Sequence, residues 1–281
     1  MKSTIALLCA ILSVSCIQQN KKKSNKYLEK IEHNNNKQIV LDFYKNAIGK
    51  ADSTYASKAL TDEYIQHNPS VKTGKAGFLE MITFLKQLPK PDNPKKPFMR
   101  IISEDNYVVL HFEVEFAGQK KTVLDLYRLD NGLIAEHWDA IKDSSPSTLN
   151  GNPEVKGPIN IENKKLTDKN KSIVENYVEQ VLVTRNFEQM SKYLNSNLIQ
   201  HNPEIDNGLV SLKSFYKDVS IEKVHRIIGE GNFVVTQSKG KKEGKEWVFY
   251  DVYRLDKGKI TEHWSVGQLI PKNMAHTNGM I

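Results

Sequence analysis

Cysteine is almost missing from this chain of 281 residues: there are two, Cys9 and Cys16, both near the start. The body of the protein therefore has no disulfide and no thiol nucleophile. Long apolar runs are missing too. Ile5 to Val14 is too short to cross a bilayer as a helix, and behind Lys2 it fits the apolar core of an export signal. No glycine-rich phosphate loop, serine nucleophile elbow, Cys-x-x-Cys or His-Glu-x-x-His occurs, which sets aside nucleotide and redox roles and any local metal motif. A strong excess of one charge is also lacking. Lys+Arg of 40 against Asp+Glu of 33 leaves +7, much of it in Lys21, Lys22, Lys23 and Lys26. No basic stripe interleaved with aromatics follows them, so no nucleic-acid partner is expected. At 39% hydrophobic and 26% charged residues, the rest has an ordinary globular balance, not that of a disordered or polytopic membrane protein.

Ser15-Cys16 after the apolar run resembles the lipobox of bacterial lipoproteins, with Ser13 where Leu is commonest. That reading makes 1–16 a signal peptide and 17–35 a flexible tether. Cys16 is then the lipid attachment, and the protein is exported and held at the cell envelope, touching the membrane through that lipid only. The alternative is an ordinary cleaved signal with an incidental Cys16.

The remainder repeats itself. Tyr64-Ile65-Gln66-His67-Asn68-Pro69 returns 134 positions later as Leu198-Ile199-Gln200-His201-Asn202-Pro203. Asp125-Leu126-Tyr127-Arg128-Leu129-Asp130 returns 126 positions later as Asp251-Val252-Tyr253-Arg254-Leu255-Asp256, and Glu136-His137-Trp138 returns as Glu262-His263-Trp264. The second copy has thus lost eight residues where the first has its proline-rich Leu88–Pro94 loop. A period this long means duplicated domains, 36–145 and 168–272, joined by a linker (146–167) and followed by a C-terminal tail (273–281). In each copy, apolar positions at helical spacing (Ile39, Val40, Phe43, Ala47; Ile173, Val174, Tyr177, Val181) open a run of helices, and antiparallel strands follow. The expected class is α+β, with a curved sheet over helices.

The last hairpin of each copy can be given a register. Asp130-Asn131-Gly132 suits a two- or three-residue turn, but Lys257 is a poor fit to the positive φ of the two-residue turn. A shared three-residue loop sets Leu129 opposite Leu133, Tyr127 opposite Ala135, Asp125 opposite His137 and Val123 opposite Asp139. Asp125, His137 and Asp139 then share one face. Arg128, Glu136 and Trp138 share the other, where Arg128 with Glu136 and Arg254 with Glu262 are expected as ion pairs and Trp138 and Trp264 as packing residues.

His67-Asn68-Pro69, Asp125-x-Tyr127-Arg128 and Gly132-x-x-x-Glu136-His137-Trp138-Asp139 together resemble the SnoaL-like domains of the nuclear-transport-factor-2-like superfamily. The resemblance covers both repeats. It implies two tandem cone-shaped α+β barrels, each enclosing a pocket, packed as an intramolecular pseudo-dimer. It also implies acid/base chemistry without a cofactor, as in polyketide cyclases, in a superfamily that also holds isomerases, hydrolases, dehydratases and pure binders. Carried over, the acid/base position falls on Asp139, with Asp125 and His67 lining the pocket. Copy two departs from the pattern, with Ser265 at the matching position. A Gln often found three residues later is kept there as Gln268 but is Lys142 in copy one.

Two carboxylates on one buried face raise the pKa of at least one of them, the condition for removing a carbon-bound proton near neutral pH. His67 or His137 could donate to the enolate oxygen, with Asn68 assisting. The expected catalytic set is Asp139, Asp125, His137 and His67. Ligand contacts are expected from Asn68, Tyr127, His201, Asn202, Asp251, Tyr253 and His263, with walls from Phe43, Tyr44, Phe78 and Phe84. The expected ligand is a small hydrophobic or carbonyl compound. Three alternatives stand beside turnover: a ligand-binding lipoprotein; a merely structural Asp125–His137 pair; and a metal held by His67, His137 and Asp125. Cofactor and metal are both expected to be absent.

Overall fold

A computed structural model describes residues 35–88 and 99–281. The signal, Cys16, the tether and most of the proline-rich loop lie outside the described residues. Mixed α+β architecture is built twice, as two five-stranded sheets packed on helices. In each sheet the first strand in chain order lies at one edge beside the fifth, and the fourth, third and second follow in that order.

In the first unit, helix α1 (35–43) runs into a π-helical turn, Tyr44–Gly49, and is followed by α2 (Ser53–Ala59). Asp52 caps α2 by accepting a hydrogen bond from the Tyr55 amide at 2.9 Å. Strand β1 (Leu60–Gln66), helix α3 (Gly74–Leu85) and strands β2 (Met99–Glu104), β3 (Tyr107–Phe116), β4 (Gln119–Asp130) and β5 (Leu133–Asp143) complete it. The second unit repeats the series as α4 (Thr167–Tyr177) with a π-helical turn at Val178–Val183, α5 (Met190–Tyr193), β6 (Leu194–Gln200), α6 (Leu209–Asp218), β7 (Val219–Glu230), β8 (Phe233–Lys242), β9 (Lys245–Asp256) and β10 (Lys259–Leu269). Strand β1 adds to the expected antiparallel set, because it pairs in parallel with β5, as β6 does with β10.

One face of each sheet buries the helices. Val40, Phe43 and Ala47 of α1 and its π-helical turn meet Phe78, Phe112 and Tyr127 there. The opposite faces meet each other through Trp138, Leu126, Trp264 and Tyr250, with β5 against β10 and β2 against β7. The contacts are reciprocal. Arg100 lies 3.9 Å above the Trp264 ring and Arg226 lies 4.0 Å above that of Trp138. Glu104 accepts from the Gly229 amide at 2.8 Å and Glu230 from the Ser103 amide at 2.9 Å. Each contact is answered by its counterpart 126 residues away, the mark of an isologous interface. The linker and the tail are built in the same way. Leu149, Asn150 and Asn152 bond to the backbone of Pro203, Asn202 and Gln200. Ala275, His276 and Asn278 do the same to Pro69, Asn68 and Gln66, and Met280 is buried.

The β4–β5 hairpin corrects the expected register. Its turn has two residues, Asn131 (φ 49°) and Gly132 (φ 78°), and Lys257 (φ 48°) and Gly258 (φ 77°) match them in the second unit. Lys257 takes the positive φ after all. A bulge at Ala135 then inserts one residue between the Leu129–Ile134 and Arg128–Glu136 pairs. Turn and bulge each move the register by one residue, and either alone would have turned the side chains to the other face. Together they keep the face and change the partners: Asp125 stands opposite Asp139, and Tyr127 opposite His137.

Candidate active site

The end of β1 delivers side chains alternately to the two faces of the first sheet. Gln66 points toward the helices, His67 away from them, and Asn68 back again. His67 is therefore not beside Asp125. It stacks on Trp138 at 4.8 Å, and its Nε2 lies 2.8 Å from Glu136 Oε1. Glu136 also accepts from Arg128 Nε at 2.8 Å. His67 thus belongs to the ion-pair layer between the sheets, because strand alternation aims it there. It neither lines the site nor can share a metal with His137 and Asp125. Phe84 is also misplaced as a wall: it is 54% exposed.

Toward the helices, Asp125, His137 and Asp139 converge, all three buried, with one ligand atom of each within 4.8 Å of the other two. This differs from the alternative metal set of His67, His137 and Asp125 read from the sequence, although its donors suit a cation equally well. Asn68 Nδ2 donates to Asp139 Oδ2 at 2.6 Å, while Asp139 Oδ1 has no hydrogen-bond partner. His137 stacks on Tyr127 at 4.6 Å, with its Nδ1 3.1 Å from Gln66 Oε1. Its Nε2 lies 3.5 Å from Asp125 Oδ1 without an aligned hydrogen bond. Tyr127 donates to Asp125 Oδ2 at 3.2 Å.

Like charges directly opposite on neighbouring strands repel, and burial weakens the solvent screening of the pair. Burial, together with the charge of Asp125, raises Asp139 to about 6, against the opposing pull of His137, Asn68 and His67. Burial disfavours a charged His137, but the attraction of the Asp125 carboxylate 3.5 Å away and the charge of Asp139 outweigh it, and His137 is raised. The result is a carboxylate poised near neutrality, with one free oxygen beside an imidazole.

The second unit keeps the frame and removes the surplus charge. Ser265 stands opposite Asp251, and Asn202 Nδ2 donates to Ser265 Oγ at 2.8 Å. His263 has both nitrogens engaged, with Gln200 Oε1 at 2.9 Å and Asp251 Oδ1 at 2.9 Å, and it stacks on Tyr253. His201 stacks on Trp264 and binds Glu262, as His67 does with its own partners. Ser265 therefore has no free base beside it. Gln268 accepts from the Ile141 amide at 2.8 Å, across the contact between the units.

Sequence reading passed over Gln66 and Gln200, which bind the two site histidines. Both stood inside the repeated segment, so their recurrence was a usable signal. Asn152 and Asn278, also 126 positions apart, were passed over as linker and tail.

No family model matches the chain, and no curated protein does. Solved structures do. An NTF2-like protein of unknown function from Cytophaga hutchinsonii is 24% identical, spans 35% of this chain and 89% of its own, and gives a TM-score of 0.32. An LEH-like epoxide hydrolase from M. tuberculosis is 21% identical over 35% of this chain and 78% of its own, with a TM-score of 0.30. A SnoaL-like polyketide cyclase from Agrobacterium tumefaciens is 12% identical over 35% and 91%, with a TM-score of 0.30. Each spans about one unit of this chain. The likeness is one of fold.

Proposed function

We propose that the first unit is a cofactor-independent acid/base catalyst acting on a small carbonyl compound, by aldol-type condensation or cyclisation, or by isomerisation. The observation that carries this reading is the free Oδ1 of buried Asp139, held beside His137 with its other oxygen on Asn68. Asp139 takes the proton from the carbon next to the carbonyl. The electrons of that C–H bond move to the carbonyl oxygen, which accepts a hydrogen bond from the Nε2–H of protonated His137. The enolate then attacks a second carbonyl, or regains the proton at another carbon. Asp125 keeps His137 charged. Asp139→Asn preserves the shape and the bond to Asn68 but removes the base, and it should lower turnover by roughly 10²- to 10⁴-fold while leaving ligand binding intact. Unchanged turnover would overturn the proposal.

A second reading, ligand binding without turnover, applies to the second unit, where Ser265 replaces the carboxylate and both His263 nitrogens are engaged. The reciprocal contacts between the sheets support an intramolecular pseudo-dimer. The N-terminal sequence supports export and anchoring through lipid on Cys16, with no nucleic-acid partner. A Cys16→Ser chain should then leave the membrane fraction; if it stays there, the lipid assignment is wrong.

A further inference from the structure

Gln66 is the last residue of β1, is 1% exposed and stands beside His137 in the parallel β1–β5 register. Its Oε1 receives three groups: the amides of His67 and Asn68, both at 2.9 Å, and His137 Nδ1 at 3.1 Å. A backbone N–H can only donate, so the two amides fix the carbonyl end of this side chain toward them. The other end donates from Nε2 to Tyr64 Oη at 2.9 Å. The amide cannot turn over without breaking all of these bonds. His137 Nδ1 therefore faces an acceptor and must carry a hydrogen in every protonation state of the ring. Any proton that His137 gains or gives up is then the one on Nε2, the nitrogen that faces Asp125 and has no hydrogen-bond partner.

We propose that Gln66 is a positioning residue that locks His137 as the Nδ1–H tautomer and so reserves Nε2 for proton exchange at the site. The assignment rests on the acid/base reading for its purpose, but the lock itself stands on geometry alone. Without Gln66, a neutral ring would place its hydrogen on Nε2, the nitrogen facing the Asp125 carboxylate. His137 would then leave Nδ1 bare and keep its Nε2 proton.

The test is long-range ¹H–¹⁵N correlation of the histidine rings in the intact, ¹⁵N-histidine-labelled chain, with His137 assigned by the loss of its signals in His137→Gln. In the unsubstituted protein above the titration of His137, Nδ1 should show the signature of a protonated nitrogen and Nε2 that of a bare one. Gln66→Met keeps the length of the side chain and removes the acceptor, and should move the hydrogen to Nε2. Gln66→Glu restores an acceptor and should return it to Nδ1. A bare Nδ1 in the unsubstituted protein overturns the proposal, and so does an unchanged tautomer in Gln66→Met. If Gln66→Met does not fold, the spectrum of the unsubstituted chain decides by itself. These spectra are independent of turnover, so an Asp139→Asn chain that remained active would overturn the acid/base reading while leaving the lock in place.

Discussion

At Asp139, one buried carboxyl group sets chemistry against stability. An aspartate titrates near 3.8 when free, and Asp139 is raised to about 6 by burial and by Asp125. Between those values the native state binds the proton more tightly than the unfolded chain, so native stability falls as pH rises through that window and stays lower above it. The shift of about two units corresponds to a cost on the order of 3 kcal/mol at pH 8. Asp139→Asn should therefore be the more stable protein at pH 8, by on the order of 1–3 kcal/mol, with the difference vanishing near pH 4. Thermal unfolding of both chains at the two pH values measures it. A variant less stable at pH 8 would mean that the carboxylate holds the fold together. The natural counterpart is Ser265, which occupies the matching place where His263 and Asp251 already form a closed pair. At this scale the sequence was informative about residue type, since the two carboxylates and His137 were placed on one face. It misled about His67, because strand alternation at the end of an unexpected strand sends that ring to Glu136 and Trp138 instead.

The β4–β5 hairpin shows, at the scale of the element, why local chemistry can err and still leave a usable answer. Lys257 argued against the two-residue turn, yet it sits at φ 48°. The tertiary demand for a tight hairpin overrode a residue preference worth on the order of 1 kcal/mol. The bulge at Ala135 left no mark in the residue pattern. The two errors were of one residue each and cancelled in parity, so the face was legible but the pairs were not. The strained turn gives its own prediction: Lys257→Asn or Lys257→Gly should stabilise the protein by about 0.5–1 kcal/mol in thermal unfolding, because both residues accept positive φ. A loss of stability on both substitutions would show that the Lys257 side chain outweighs the backbone strain. Strand β1 was hidden for a different reason. Its parallel pairing to β5 is long-range, and its burial alternates only in part, so nothing local distinguished it from a loop.

For the whole molecule, the repeat fixed the number of units, while the way they hold each other could be read only in three dimensions. The interface joins two sheet faces through swapped Arg–Trp stacks and swapped glutamate–amide bonds. Its two arginines are not equal. Arg100 is fully buried, lies 2.8 Å from His111 Nδ1 and donates to the Pro158 carbonyl at 3.0 Å; burial lowers it to about 10. Arg226 is less enclosed and stacks on Trp138 while donating to Gln237 at 2.5 Å. Arg100→Met should then cost about 3–5 kcal/mol, since it strands buried polar groups, and Arg226→Met about 1–2 kcal/mol. Denaturant unfolding of the two variants gives the ranking, and equal costs would contradict the asymmetry. The linker and tail owe their order to the same pairing, since each lies across the other unit's Gln-His-Asn-Pro segment.

Whether Asp139 turns over a small carbonyl compound is tested most directly by mass spectrometry of the small molecules retained by the natively purified chain and by Asp139→Asn. A carbonyl compound that accumulates in the Asp139→Asn chain, while the unsubstituted chain carries its product or nothing, is the predicted result. The same compound at the same level in both chains would contradict the account and make the protein a binder.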